Sequence, residues 1–163
     1  MFFLLLSSMV FLAQAATAEL SFLVETNVSG VSVEGKVEAP QVSYQSAQKA
    51  SAQIRFDVFA LRTGMEKRDA HLREKVFAAQ RPGDAEVSFT LRGLVCAPEC
   101  AALGAMRIKG VTKELRVPLT ASADHKVLRG EFELRLSDFQ LPRPSFMGVK
   151  VEDAVKVQFK VQE

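Results

Sequence analysis

The stretch that decides the fold lies near the C-terminus and reads Val155-Lys156-Val157-Gln158-Phe159-Lys160-Val161. Apolar and polar residues alternate along it, and this period of two is typical of a β-strand with one buried face. The same alternation appears in four more segments. Their apolar positions are Phe132, Leu134 and Leu136; Leu115, Val117 and Leu119; Val87, Phe89 and Leu91; and Ile54, Phe56 and Val58. Each segment therefore predicts an antiparallel strand with one face against a core.

Shorter strands complete the pattern toward the N-terminus. Residues 20–26 form a candidate first strand, residues 31–37 predict a second, and Val42 and Tyr44 mark a short third. Glycine and proline residues separate the segments, as they do at turns. About eight short strands at this spacing predict a mainly β fold, which is either a closed antiparallel barrel or a sandwich.

One stretch departs from the period of two. Thr63-Gly64-Met65-Glu66 has the form of a capping box, in which a threonine hydroxyl caps the helix and a glutamate follows three residues later. The predicted helix covers about residues 64–77. Met65, Leu72 and Val76 form its apolar face.

Asp69 lies on this same apolar face of the predicted helix. A carboxylate that is buried there needs a hydrogen bond or an ion pair. The local candidates for a partner are Arg62, Arg68, His71 and Arg73. Alternatively, Asp69 lies at the edge of the face, solvated and paired with Arg73.

Two cysteines stand four positions apart, in Cys96-Ala97-Pro98-Glu99-Cys100, at the start of a segment rich in small residues. We interpret residues 96–105 as a connection between strands. In an oxidising compartment an intrachain Cys96–Cys100 disulfide is the leading prediction. The alternatives are two thiolates that bind a soft metal such as Cu(I), or a redox-active dithiol, although the spacing differs from Cys-x-x-Cys.

The N-terminal segment differs in composition from the rest of the chain. The protein has 163 residues and a formal net charge of +2, yet residues 1–18 contain no charged residue. Residues 2–12 form an apolar run shorter than the about 20 residues of a membrane span, and small residues follow it, as before a signal-peptidase site. We expect residues 1–18 to be a signal peptide cleaved after Ala18, with Ala15 as the second possible site.

Residues 19–163 would then form one domain in the periplasm or outside the cell, with no stable membrane span left after cleavage. The alternative is an N-terminal anchor that remains uncleaved. A net charge of +2 gives no basic patch, so no nucleic-acid partner is expected.

The sequence contains few of the residue patterns that are typical of enzymes. Its two histidines, His71 and His125, stand far apart, and no spacing joins them into a metal site. It contains neither a Gly-x-Ser-x-Gly nucleophile elbow nor a glycine-rich phosphate-binding motif. We therefore expect a protein that is not an enzyme and that uses no metal and no cofactor.

Three blocks of the sequence resemble the YceI-like family. Residues 61–72, Leu61-Arg62-Thr63-Gly64-Met65-Glu66-Lys67-Arg68-Asp69-Ala70-His71-Leu72, resemble its TG-x-x-x-RD-x-H-[LM] signature. Residues 106–113, Met106-Arg107-Ile108-Lys109-Gly110-Val111-Thr112-Lys113, resemble its L-x-[IL]-[HK]-G-V-T-K hairpin. Residues 132–161 are similar to its last two strands.

This resemblance implies a lipocalin-like eight-stranded antiparallel β-barrel with one capped helix beside it. It also implies an apolar lipid ligand of the polyisoprenoid or isoprenoid-quinone type, held inside the barrel. The resemblance assigns a group of motif residues to the scaffold: Thr63, Glu66, Arg68, Asp69 and His71. For Thr63, Arg68, Asp69 and His71 the alternative is contact with the head group of the ligand.

The alternation assigns seven residues to the apolar interior, where a lipid chain would lie. They are Phe56, Val87, Phe89, Phe132, Leu134, Val157 and Phe159. An error of one residue in register would turn a whole strand's set outward. We therefore expect an exported protein that carries or sequesters a lipid. A homodimer is a possible assembly of this protein. The alternative is a periplasmic stress or interaction module with a filled barrel and a binding surface on residues 141–148.

Overall fold

The computed structural model describes residues 15–46 and 50–163. The predicted signal segment therefore lies largely outside the described residues. Eleven strands make up most of the described residues. They are β1 (Thr17–Thr26), β2 (Ser32–Val37), β3 (Gln41–Gln45), β4 (Ser51–Asp57), β5 (Leu61–Arg62), β6 (Glu86–Cys96), β7 (Cys100–Ile108), β8 (Val111–Ala121), β9 (Val127–Arg135), β10 (Ser145–Phe146) and β11 (Val149–Gln162).

The strands form one curled antiparallel sheet that makes a half-barrel. Its order is β3-β4-β6-β7-β8-β9-β11-β1-β2-β5, with β10 paired to β11. A short 3₁₀ turn, Val58–Ala60, leads from β4 near one margin of the sheet to β5 at the other. The backbone N–H of Glu38 donates to the carbonyl of Ala60 at 2.9 Å and extends the β2–β5 pairing, while the three-residue turn brings the two margins close together at this corner.

The expected lipocalin-like architecture with one short helix is confirmed, with more strands than the eight expected. Two of the additional pairings are very short. Lys36 and Val37 pair with β5, and Ser145 and Phe146 pair with the start of β11. Pairings of two residues have no alternating pattern of their own, so the sequence did not indicate them.

The helix α1 covers Glu66–His71 and continues as a wider π-helical turn over Leu72–Val76. The predicted capping box is wrong, because the helix begins after Met65 and no side chain caps it. Gly64 has a φ of 79°, which turns the chain between Thr63 and the helix. The Thr63 hydroxyl is engaged by Asp69 instead of the helix N-terminus.

The strand β7 corrects a second expectation from the sequence. The sequence predicts that residues 100–105 belong to a connection, but in the structure they pair with β8 from Cys100↔Leu119 to Ala105↔Glu114. Inward and outward positions alternate along these residues, but their side chains are too small for the sequence to show this alternation. Ala102 is buried, and a Cβ on Gly104 would stand 2.7 Å from Val117 Cγ2. Small residues are therefore needed here by the packing on the concave side of the sheet.

Candidate functional site

The concave side of the sheet encloses an apolar cavity of about 640 Å³. Its walls come from β1, β2, β4, β5, β6, β7, β9, β10 and β11, and α1 with its π-helical turn covers one side. Phe56, Leu134 and Val157 are among the side chains that line it. Volumes of 300–1,000 Å³ with mostly apolar walls are typical of small-molecule sites, at roughly this scale. The cavity is therefore the candidate site.

Three phenylalanine rings lie beyond one end of the cavity, each two residues along its strand from a residue that lines it: Phe89 from Val87, Phe132 from Leu134 and Phe159 from Val157. Phe89 stacks on Phe132 with ring centroids 4.8 Å apart and meets Phe159 edge-on at 5.4 Å. All three are buried. Offset and edge-on pairs of this kind stabilise beyond their buried area. This cluster, the aromatic floor, fills the part of the barrel that the cavity leaves.

The seven residues predicted to line the interior are thus divided between two places. Phe56, Val87, Leu134 and Val157 line the cavity, whereas Phe89, Phe132 and Phe159 form the aromatic floor. Both groups point inward, as their alternation indicates. A contact of any of them with a ligand stays a prediction.

Sequence reasoning missed several residues of the cavity wall. They include Phe22, Leu61, Met106, Ile108, Leu136 and Phe146. Met106 and Ile108 stand two apart beside a glycine turn, a signal that could have placed them on an inward face. No such signal exists for Phe146, which lies on the two-residue strand β10.

The barrel is closed below the aromatic floor by Tyr44. Its side chain is buried, and its hydroxyl donates to the backbone carbonyl of His125 in the turn between β8 and β9. Burial raises the pKa of Tyr44, and the nearby Glu163 and Asp124 carboxylates raise it further. This end of the barrel is therefore packed, and the cavity opens at the other end.

A hydrogen-bonded clamp fixes α1 to the barrel. The Asp69 carboxylate accepts from the Thr63 N–H at 2.8 Å and from the Thr63 hydroxyl at 2.5 Å. Arg68 Nε donates to Thr63 Oγ1 at 2.9 Å, and its Nη2 donates to the Thr63 carbonyl. Asp69 is only 6% exposed, so the carboxylate is satisfied within the protein, as burial requires.

The clamp resolves the two alternatives for Asp69. The carboxylate is buried, and Thr63 is its partner, rather than any of the arginines or His71. Arg68 reaches it only through Thr63. Glu66 is exposed at the start of α1 and stands outside the clamp. Thr63, Arg68 and Asp69 thus work as one unit, which positions the helical wall of the cavity.

The mouth of the cavity lies between α1, the β1–β2 turn and the β10–β11 hairpin. His71 stands edge-on to the ring of Phe146, with centroids 6.3 Å apart. Lys67 and Arg68 also line this side, and no Asp or Glu side chain is among the described residues that line the cavity. The opening is therefore apolar with a basic side.

A 3₁₀ turn, Leu136–Phe139, holds another part of the wall beside the mouth. The Asp153 carboxylate accepts from the Ser137 hydroxyl at 2.6 Å and from its N–H at 2.9 Å. These hydrogen bonds lower the pKa of Asp153, and the neighbouring Arg135 and Arg143 lower it further. The ionised carboxylate fixes Leu136 against the cavity.

Cys96 and Cys100 lie opposite each other at the end of the β6–β7 hairpin, far from the mouth, and are joined in a disulfide. His125 lies at the closed end, whereas His71 lies at the mouth. Within residues 15–46 and 50–163, no three His, Cys, Asp or Glu side chains gather into a group that could hold a metal ion.

Comparison with protein families identifies this arrangement. The model of the YceI-like domain matches residues 11–163. The chain belongs to the YceI-like family. The TG-x-x-x-RD motif of this YceI-like protein is the clamp between Thr63, Arg68 and Asp69. A search among curated proteins finds no match.

Solved structures share the YceI-like fold. BcnA from Burkholderia cenocepacia has a TM-score of 0.71 at 18% identity, over 88% of this chain and 94% of that one. A polyisoprenoid-binding domain from Saccharophagus degradans has a TM-score of 0.56 at 13% identity, over 90% and 96%. The YCEI protein of Campylobacter jejuni has a TM-score of 0.51 at 19% identity, over 70% and 74%. At such identities the likeness concerns the fold alone.

No helix within the described parts of the chain is long and apolar enough to cross a membrane.

Proposed function

We propose that this YceI-like protein holds a long apolar lipid chain, of the polyisoprenoid or isoprenoid-quinone type, in the cavity above the aromatic floor. The observation that carries the proposal is the apolar cavity of about 640 Å³ with an open mouth. The Saccharophagus degradans domain of the same fold is described as polyisoprenoid-binding. The protein would act as a carrier or as a sequestering protein, by binding and not by catalysis.

The walls of the cavity suit a hydrocarbon chain. They consist of valine, leucine, methionine and phenylalanine side chains, with few polar groups below the mouth. Burial of apolar surface stabilises a complex by roughly 25 cal/mol per Å². A site without buried polar groups offers no hydrogen bonds to a polar ligand. Such a site therefore selects among lipids by the length and thickness of the hydrocarbon chain.

Export belongs to the same proposal. The uncharged N-terminal segment and the Cys96–Cys100 disulfide both suit a periplasmic or secreted protein. Strand β1 begins at Thr17, so cleavage after Ala15 would keep two ladder pairs that cleavage after Ala18 removes, Thr17↔Gln162 and Ala18↔Val161. Mass spectrometry of the protein recovered from its host measures the cut. An N-terminus at Met1 would contradict export by signal cleavage. A homodimer stays a prediction.

The test of lipid binding starts from protein purified from its native host. Organic extraction followed by mass spectrometry is expected to release an isoprenoid lipid in near-stoichiometric amount. Leu134→Trp places a bulky ring in the cavity and is expected to abolish the lipid. The control Gln158→Trp adds the same ring on the exposed face of the sheet and is expected to leave it unchanged.

The same measurement can contradict the proposal. The proposal is contradicted if wild-type protein contains no lipid and does not bind added farnesol or a longer prenol. The barrel would then have no ligand. The interaction-module alternative would then gain support. Because the wild-type chain contains no tryptophan, the emission of Leu134→Trp also reports whether the cavity is dry or wet.

A further inference from the structure

Exposed apolar side chains gather at one end of the molecule. Seven large hydrophobic side chains are exposed among the described residues. Four of them line the opening of the cavity, and a fifth, Val28, lies in the β1–β2 turn beside it. These five, the mouth rim, are Val28, Val31, Met65, Phe146 and Met147. Phe146 is 61% exposed and Met147 88%. Clustered apolar exposure of this kind marks an interaction surface, whereas scattered single residues do not.

The loops that carry the rim are fixed to each other. The Asn27 N–H donates to the Lys150 carbonyl at 2.9 Å, and the Lys150 N–H donates to Asn27 Oδ1 at 2.8 Å. In the β1–β2 turn, the Thr26 hydroxyl donates to the carbonyl of Val31 at 2.7 Å. These backbone and side-chain hydrogen bonds hold the β1–β2 turn and the β10–β11 hairpin together as one surface.

The charged side chains that line the opening, Lys67 and Arg68, are basic. Lys67 is exposed on α1, next to His71, and Lys150 is exposed on the hairpin. No carboxylate is among the described residues that line the opening. A protruding apolar tip with cations beside it is complementary to a bilayer surface with anionic headgroups, where apolar side chains enter the interface and lysines remain among the phosphates.

We propose that the mouth rim docks on the surface of an anionic lipid bilayer. Docking would place the opening of the cavity against the hydrocarbon, so that a lipid chain passes between bilayer and barrel without crossing water. This inference extends the proposed function, since a long apolar chain resides in membranes and leaves them for water only at high cost. The bilayer contact itself requires no bound chain.

The test is flotation of the purified protein with vesicles of phosphatidylethanolamine and phosphatidylglycerol, compared with vesicles of phosphatidylcholine alone. Wild-type protein is expected to float with the anionic vesicles and to be released by salt. The double variant Phe146→Ser/Met147→Ser is expected to bind them about tenfold more weakly. The control Val95→Ser/Leu103→Ser removes the two exposed apolar side chains that lie outside the rim, on the β6–β7 hairpin, and is expected to bind like the wild type.

A pair of lysine variants tests the electrostatic part. Lys67→Gln is expected to lower the affinity for anionic vesicles about fivefold. Lys126→Gln, in the turn at the closed end of the barrel, is the matched control and is expected to have no effect. Circular dichroism checks that each variant is folded, which is expected because all these side chains are exposed.

The results separate docking from lipid binding. Val28→Ser changes a rim side chain that is not among those lining the cavity, and it is expected to weaken flotation while leaving farnesol binding without vesicles unchanged. Docking is overturned if the wild type ignores anionic vesicles, or if the rim variant floats as well as the control. Docking is also overturned if the protein binds native membranes, which contain membrane proteins, but not vesicles of lipid alone, because the partner is then a protein. Vesicle binding without farnesol binding would count against the proposed function alone.

Discussion

The ring of Phe159 lies over Gly130 on the neighbouring strand β9. The two residues are paired in register, and a Cβ at position 130 would stand 2.6 Å from Phe159 Cε1 and 2.9 Å from the carbonyl oxygen of Pro118. Because position 130 has no side chain, the ring can tilt over the strand and reach Phe89 and Phe132. The aromatic floor of the cavity therefore depends on a glycine.

Gly130→Ala is expected to lower the free energy of unfolding by about 1–3 kcal/mol, because an added methyl group overpacks the floor. Urea unfolding followed by far-ultraviolet circular dichroism measures the change. In a Phe159→Leu background the smaller side chain leaves room, so the same substitution is expected to cost less. Equal costs in the two backgrounds would show that the ring of Phe159 does not set the need for glycine.

Asp69→Ala is expected to lower the free energy of unfolding by about 2–3 kcal/mol. It removes the acceptor of the Thr63 N–H and hydroxyl in a buried place and leaves both donors without their partner. Asp69→Asn keeps one acceptor oxygen and is expected to cost less. The control is Glu66→Ala in the first turn of the same helix, where the side chain is exposed; a loss there as large as at Asp69 would contradict the clamp.

The sequence predicted the strands best where side chains are large. The alternation of β11 and β9 identified inward residues such as Phe159 and Phe132, which are buried as expected. It failed in residues 100–105, because Ala102 and Gly104 carry too little side chain to show a period. Their small size is itself a result of packing, since Phe89 Cε2 would lie 3.3 Å from a Cβ at position 104.

The candidate site shows the same division. The sequence points to the motif around Thr63 but assigns its hydroxyl to a helix cap with Glu66, three positions on, whereas its partner in the fold is Asp69, six positions on. Cavity and floor could not be told apart from alternation alone, because both require inward apolar residues. Only the three-dimensional arrangement separates Val157, which lines the cavity, from Phe159, which closes it.

Reduction of the Cys96–Cys100 disulfide is expected to lower the free energy of unfolding by about 2 kcal/mol at most, because the closed loop is very short. Unfolding in urea with and without dithiothreitol measures this loss. The double variant Cys96→Ser/Cys100→Ser is the control and is expected to be insensitive to the reductant. Loss of the fold on reduction would contradict the view that the sheet is held by its core.

The last prediction concerns the closed end of the barrel and uses the only tyrosine of the chain. Burial raises the pKa of Tyr44 in the folded protein, whereas the pKa of a tyrosine in an unfolded chain is about 10. The tyrosinate absorbance of native protein is therefore expected to appear at higher pH than that of protein in urea. Coincident titrations would show that the hydroxyl is open to solvent.

The same shift fixes how stability depends on pH at the alkaline side. A raised folded pKa means that the native state holds its proton longer than the unfolded state. The contribution of Tyr44 is thus complete below about pH 10 and is lost as the pH rises through the folded pKa. Tyr44→Phe removes the hydrogen bond to the His125 carbonyl and is expected to cost about 1 kcal/mol at neutral pH. Because phenylalanine does not titrate, the difference in unfolding free energy between wild type and variant should shrink above that pH; a constant difference would place the alkaline sensitivity elsewhere.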